Sequence, residues 1–124
     1  MTAVLPRIVY LIDDDDAVRD SLRALLETYD LAVEDYPSAT AFLAEPRDLE
    51  SACLVVDIHM PVMSGTELLE VLLQREQRPI AIAITGAGDA ALRERLKHLG
   101  VRAMLDKPIH DDALMQTIER AFEG

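Results

Sequence analysis

Four aspartates in a row, Asp13 to Asp16, directly follow the apolar run Ile8-Val9-Tyr10-Leu11-Ile12. Carboxylates packed this closely at the end of a buried strand repel one another. The repulsion pushes their pKa values upward unless a cation relieves it. The placement recurs along the chain. Leu54-Val55-Val56 runs into Asp57, Ile80-Ala81-Ile82-Ala83-Ile84 into Thr85, and Met104-Leu105 leads to Lys107-Pro108. Four apolar runs, each ending in a residue type that handles phosphate or metal, make phosphoryl transfer the chemistry this set suits.

Residues this far apart can act together only if the fold gathers the ends of the apolar runs. The apolar pattern switches repeatedly between short β-rich runs and helical spacing. Residues 7–12 read as a strand, and Val18, Leu22, Leu25, Leu26 and Tyr29 then recur at helical spacing from Ala17 to Tyr29. Ala32–Tyr36 reads as a second strand. Pro37-Ser38 opens a short helix over Ala39–Ala44 that Pro46 closes. Ala52–Val56 forms a third strand, and Gly65 precedes a helix with Leu68, Leu69, Leu72 and Leu73 on one face. Pro79 opens the fourth strand, and Gly86 to Asp89 is a turn with a capping aspartate. A helix marked by Leu92, Leu96 and Leu99 follows and ends at Gly100. Residues 101–105 form the fifth strand. Asp111-Asp112 begin a last helix with Leu114, Met115, Ile118, Ala121 and Phe122 facing inward. Five successive βα units imply a parallel sheet covered by helices on both faces, because parallel strands need right-handed helical crossovers. Ligands of such sheets bind beyond the carboxyl ends of the strands, where Asp13, Asp57, Thr85 and Lys107 all fall.

Length and composition agree with one domain over residues 1–124 and none beside it. Half the residues are apolar, yet no run reaches the length of a membrane span and no signal-peptide pattern opens the chain, so a cytoplasmic location is expected. The net charge of −11 argues against direct nucleic-acid binding, which needs clustered Lys and Arg. Cys53 is the single cysteine, at the start of a strand, and reads as a buried structural thiol.

Leu11-Ile12-Asp13-Asp14, Val55-Val56-Asp57-Ile58-His59-Met60-Pro61, Met63-Ser64-Gly65, Ile84-Thr85-Gly86 and Asp106-Lys107-Pro108 together resemble the response-regulator receiver domain of two-component signalling. The order and separations match over essentially the whole length. The resemblance implies an α/β, (βα)5 doubly wound, flavodoxin-like fold with strand order 2-1-3-4-5. It implies that Asp57 accepts a phosphoryl group from the phosphohistidine of a sensor histidine kinase or phosphotransfer protein. Asp14, Asp57 and the backbone carbonyl of His59 would bind Mg2+ directly, with Asp13 acting through water. Two or three carboxylates suit Mg2+, which prefers oxygen ligands and keeps some waters. Lys107 would pair with phosphoryl oxygens and the Thr85 hydroxyl would donate to one of them. Before Pro108 the peptide bond would be cis. The domain would be a phosphoacceptor in a phosphorelay and not an enzyme, with slow self-dephosphorylation as a by-product.

Met104 departs from the family, which places an aromatic switch residue there. Methionine can fill vacated space without an aromatic's two defined states. His59, two residues beyond the phosphoacceptor, either tunes phosphate lifetime or is an exposed loop residue. His98 and His110 read as surface residues, and Asp15 and Asp16 as cap and first-turn charge of the first helix. Arg93, Arg95, Lys97 and Arg102 with Asp111, Asp112 and Glu119 lie on the fourth helix, fifth strand and fifth helix. In relatives that face dimerises or meets partners, but mixed charge there equally fits a solvated face. The Val18-Arg19-Asp20-Ser21-Leu22 segment and the Thr85-Gly86-Ala87-Gly88-Asp89 turn look most like receivers that precede helix-turn-helix output domains. Two rivals stand beside the receiver reading. A pseudo-receiver would be a protein-binding module without phosphotransfer. An aspartate-nucleophile phosphohydrolase would use Asp13 and Asp15 with Thr85, Lys107 and Asp111-Asp112. The second leaves Asp57 without a role and has no room for a substrate-selecting cap.

Overall fold

A computed structural model describes residues 7–45, 47–86 and 88–123. Its elements are β1 (Ile8–Ile12), α1 (Asp16–Glu27), β2 (Ala32–Tyr36), α2 (Ala39–Leu43), β3 (Cys53–Asp57), α3 (Gly65–Gln74), β4 (Ile80–Thr85), α4 (Ala90–His98), β5 (Ala103–Asp106) and α5 (Asp111–Glu123). All strand pairs are parallel and the order is β2-β1-β3-β4-β5, as expected from the resemblance. Pro46, expected to close the second helix, and Ala87, in the expected turn at 86–89, lie outside the described residues.

Alternation along the central strands feeds two separate cores. Val9, Leu11, Cys53, Val55, Ile82 and Ile84 face α1 and α5, where Leu22, Leu26, Leu114, Met115, Ile118 and Ala121 cover them. Tyr10, Ile12, Leu54, Val56, Ala81 and Ala83 face the other way, against Phe42, Leu68, Leu69, Leu72 and Leu96. Cys53 is fully buried, and burial pushes its thiol up to about 12, as befits an inert core residue.

Four of the five helix starts carry a capping side chain. Asp15, Ser38, Ser64 and Asp89 are N-caps whose side chains accept from the backbone N–H three residues on, and Ser64 forms a capping box with Glu67. Gly100 follows α4 at φ +82, a conformation that favours glycine. One expectation from periodicity fails. Tyr29 lies beyond the end of α1 and is half exposed, because the helix stops at Glu27 and Asp30 turns the chain at φ +59. β5 is shorter than residues 101–105 suggested and begins at Ala103, and as an edge strand it is only half-buried.

Candidate functional site

Parallel pairing sets the strand ends side by side at one rim. Ile12 pairs with Val56, Asp57 with Ile84 and Thr85 with Asp106, so Asp13, Asp57, Thr85 and Lys107 meet although nearly a hundred residues separate the first from the last. Asp57 is the last residue of β3 and is buried. Its Oδ1 accepts the His59 N–H at 2.9 Å, and its Oδ2 accepts from Lys107 Nζ at 3.0 Å. The Lys107 backbone N–H donates to the Thr85 carbonyl at 2.9 Å, which ties the lysine loop to β4. The Lys107–Pro108 peptide is cis, as the resemblance implied.

The row of four aspartates divides its work. Asp13 is the only one of the four that is buried. Its Oδ1 accepts the Asp15 N–H at 2.8 Å, while its Oδ2 is buried without a hydrogen-bond partner among the described residues. Burial pushes the Asp13 carboxyl above the usual carboxylate range. The charges of Asp57 and Asp14 push the same way, against the Asp15 N–H and Lys107. Asp14 is exposed, and one oxygen each from Asp13, Asp14 and Asp57 lie within 4.8 Å of one another. Asp15 caps α1 by accepting from the Val18 N–H, and Asp16 pairs with Arg19 at 2.6 Å. The phosphohydrolase reading therefore loses its second catalytic carboxylate, because Asp15 is turned to the helix.

Three clustered carboxylates with an unpartnered buried oxygen are the donor set a hard divalent cation takes, and such a cation would satisfy Asp13 Oδ2. The Lys107 ammonium beside Asp57 is kept charged. Burial would lower the Lys107 pKa, but the hydrogen bond and charge of Asp57, with Asp13 and Asp14, outweigh it and raise the value. A charged lysine thus stands directly against the Asp57 carboxylate.

Close packing beneath Asp57 fixes its position. The Gly65 N–H donates to the Ile58 carbonyl at 3.0 Å, and a Cβ on Gly65 would lie 2.7 Å from the Asp57 carbonyl oxygen. Only glycine lets α3 begin this near the end of β3.

His59 is exposed as a residue, yet its Nε2 lies 2.9 Å from Thr85 Oγ1, bridging the ends of β3 and β4. The spacing to Asp57 marked His59 for attention, but its link to Thr85 crosses strands and has no sequence signal. Met104 is half-buried against the α2–α3–α4 core. His98 and His110 are exposed, as expected. On the α4–β5–α5 face, Arg93 pairs with Asp106 at 3.1 Å, while Arg95 turns to Glu70 of α3. Sequence reasoning also passed over Arg19 as a site residue. Its guanidinium holds Asp35 at 2.9 Å and the Asp13 carbonyl at 2.8 Å, and Asp35 lies on β2, too far along the chain for spacing to reveal it.

Residues 9–119 match the family model described as the response regulator receiver domain. The chain is 44% identical over 114 residues to the transcriptional regulatory protein FixJ of Azorhizobium caulinodans, covering 92% of this chain and 54% of that protein. It is 35% identical over 117 residues to the response regulator protein TmoT of Ectopseudomonas mendocina, covering 94% and 53%. The crystal structure of FixJ-N matches with a TM-score of 0.86 at 37% identity, over 97% of this chain and 96% of that one. The chain spans about half the length of the curated relatives it matches.

Proposed function

Because the chain belongs to the response regulator receiver domain family, we propose that it serves phosphorelay signalling through Mg2+-dependent phosphorylation of Asp57. The observation that carries this reading is the convergence of Asp13, Asp14 and Asp57 oxygens within 4.8 Å, with Lys107 Nζ 3.0 Å from Asp57. Asp14, Asp57 and the His59 carbonyl would hold Mg2+, with Asp13 acting through water. Mg2+ held there would supply positive charge against the phosphoryl oxygens, so that the Asp57 carboxylate could approach phosphorus.

The Asp57 carboxylate attacks phosphorus of a phosphohistidine, the N–P bond breaks, and the released imidazole takes a proton from solvent. Lys107 keeps its proton and pairs with a phosphoryl oxygen. Thr85 donates its hydroxyl hydrogen to another. The protein contributes position and charge, with little covalent work beyond the nucleophile. The product is an aspartyl phosphate, and water attacking it at the same site gives slow self-dephosphorylation. A signalling domain of this kind needs no substrate pocket of its own.

The phosphodonor is a sensor histidine kinase or a phosphotransfer protein. The phosphorylated state is read by an output domain, by a partner, or by a second copy through the α4–β5–α5 face. Among the described residues no helix is long and apolar enough to cross a membrane. We place the domain in the cytoplasm, where such kinases hold their phosphohistidine. Met104, half-buried at the position where relatives carry an aromatic, makes the readout graded instead of two-state.

Intact-mass analysis after acetyl phosphate treatment tests this reading, with and without Mg2+, on wild type and Asp57→Asn. A Mg2+-dependent phosphoryl adduct on wild type alone is expected. No adduct on a folded wild type would leave a binding module without phosphotransfer.

A further inference from the structure

We propose that Arg19 is the positioning residue of the metal site, a guanidinium clamp that fixes the peptide carrying Asp13 and Asp14 onto β2. The inference rests on the Mg2+ reading above and deepens it. Arg19 sits in the first turn of α1, and its side chain is 12% exposed. All three of its nitrogens are engaged. Nη1 donates to the Asp13 carbonyl at 2.8 Å, Nε to Asp35 Oδ2 at 2.9 Å and Nη2 to Asp16 Oδ1 at 2.6 Å.

The Asp13 carbonyl belongs to the peptide that joins Asp13 to Asp14. Arg19 therefore grips the plane from which both carboxylates are hung. Asp13 is also held on its other side, where its own backbone N–H donates to the Tyr36 carbonyl at 3.2 Å. β2 thus anchors the acidic loop twice, once through its backbone and once through Asp35 and Arg19. Asp35 also pairs through its other oxygen, Oδ1, with the more exposed Arg23 of α1. A planar fork with three separate acceptors is a task for arginine and not for a point-charge lysine.

Charge alone predicts the opposite sense for this residue. A cation beside an acidic cluster competes with Mg2+, so removing it should tighten metal binding by Coulomb's law. Positioning predicts that removing it loosens the cluster and weakens binding. Residues that orient metal ligands without touching the ion typically change affinity by about 10- to 100-fold when lost. The two accounts therefore differ in sign.

The test is calorimetric titration of the metal-free protein with Mg2+, for wild type, Arg19→Gln, Arg19→Lys and Arg23→Gln, each checked by circular dichroism for a native spectrum. Arg23 also pairs with Asp35 but has no contact with the Asp13 carbonyl in the structure, so its variant removes a nearby charge without opening the clamp. Mg2+ affinity is expected to fall about 10-fold in Arg19→Gln and by several-fold in Arg19→Lys, which keeps the charge. Arg23→Gln is expected to bind as tightly as wild type or more so. Should Arg19→Gln fail to fold, the lysine variant carries the same test. Equal or tighter binding in the Arg19 variants, or equal weakening in Arg23→Gln, would overturn the clamp and leave the Mg2+ reading standing. A wild type that takes up no Mg2+ would overturn both.

Discussion

Replacing Val62 by glycine should make the protein more stable, although glycine usually weakens a fold. Val62 lies in the loop between β3 and α3 at φ +69, a region that a β-branched side chain enters only under strain. Its neighbours enforce the turn. The Met63 N–H donates back to the Pro61 carbonyl at 2.8 Å, and Ser64 is locked by its capping box with Glu67. The side chain is 96% exposed, so its removal forfeits almost no burial. Strain of this kind costs about 1–3 kcal/mol. Glycine's extra freedom in the unfolded chain returns about 0.5–1 kcal/mol of that. The net gain then lies within about 0–2.5 kcal/mol, with a central value of about 1 kcal/mol. At a urea slope of about 1–3 kcal/mol per molar, the midpoint should rise by several tenths of a molar with no change in slope. Val62→Ala, which drops the branch but keeps a Cβ, should fall between the two. A midpoint in Val62→Gly at or below that of wild type would refute the reasoning, because it would mean the turn holds no strain at that residue.

Asp13→Asn should stabilise the metal-free protein at neutral pH. The Asp13 pKa is raised in the folded state chiefly by burial, so folding binds the proton more tightly than the unfolded chain does. Stability contributed by this group is present at low pH and is lost as pH rises from about 3.8 through the folded value. The melting difference between variant and wild type should therefore widen on going from acid to neutral pH, and Mg2+ should narrow it by stabilising wild type alone; a pH-independent difference would contradict the burial argument. Gly65→Ala should cost about 1–3 kcal/mol in urea unfolding, since its Cβ would lie 2.7 Å from the Asp57 carbonyl oxygen and α3 would have to back away. The same variant should be phosphorylated more slowly by acetyl phosphate, and unchanged stability and rate would show that the contact relaxes freely. Cys53 should react with a thiol reagent only at the rate of global unfolding, and rapid modification of the native protein would contradict its burial.

The sheet was legible because its strands are short, apolar and bounded by residues with one job each. Ile80–Ile84 is flanked by Pro79 and Thr85, and the cap residues Ser38 and Asp89 mark helix starts in the sequence itself. The meeting of Asp13, Asp57, Thr85 and Lys107 followed from parallel topology alone, since every strand points its carboxyl end the same way. Contacts across elements were not legible. Arg19 finds Asp35 on β2, and His59 reaches Thr85 on β4, through side-chain geometry that no spacing encodes. Helical periodicity also overran its element at Tyr29, because an apolar spacing carries no information about where the backbone turns. The left-handed backbone at Val62 is likewise invisible, since valine is among the last residues that local propensity would put there.

The most direct test of the account is to locate the phosphoryl group. After acetyl phosphate treatment with Mg2+, borohydride reduction converts an aspartyl phosphate to homoserine, which peptide mass spectrometry assigns to one position. The account predicts homoserine at Asp57 alone, abolished without Mg2+ and strongly reduced in Lys107→Ala. Homoserine at Asp13, or at Asp57 in amounts indifferent to Mg2+ and Lys107, would contradict it.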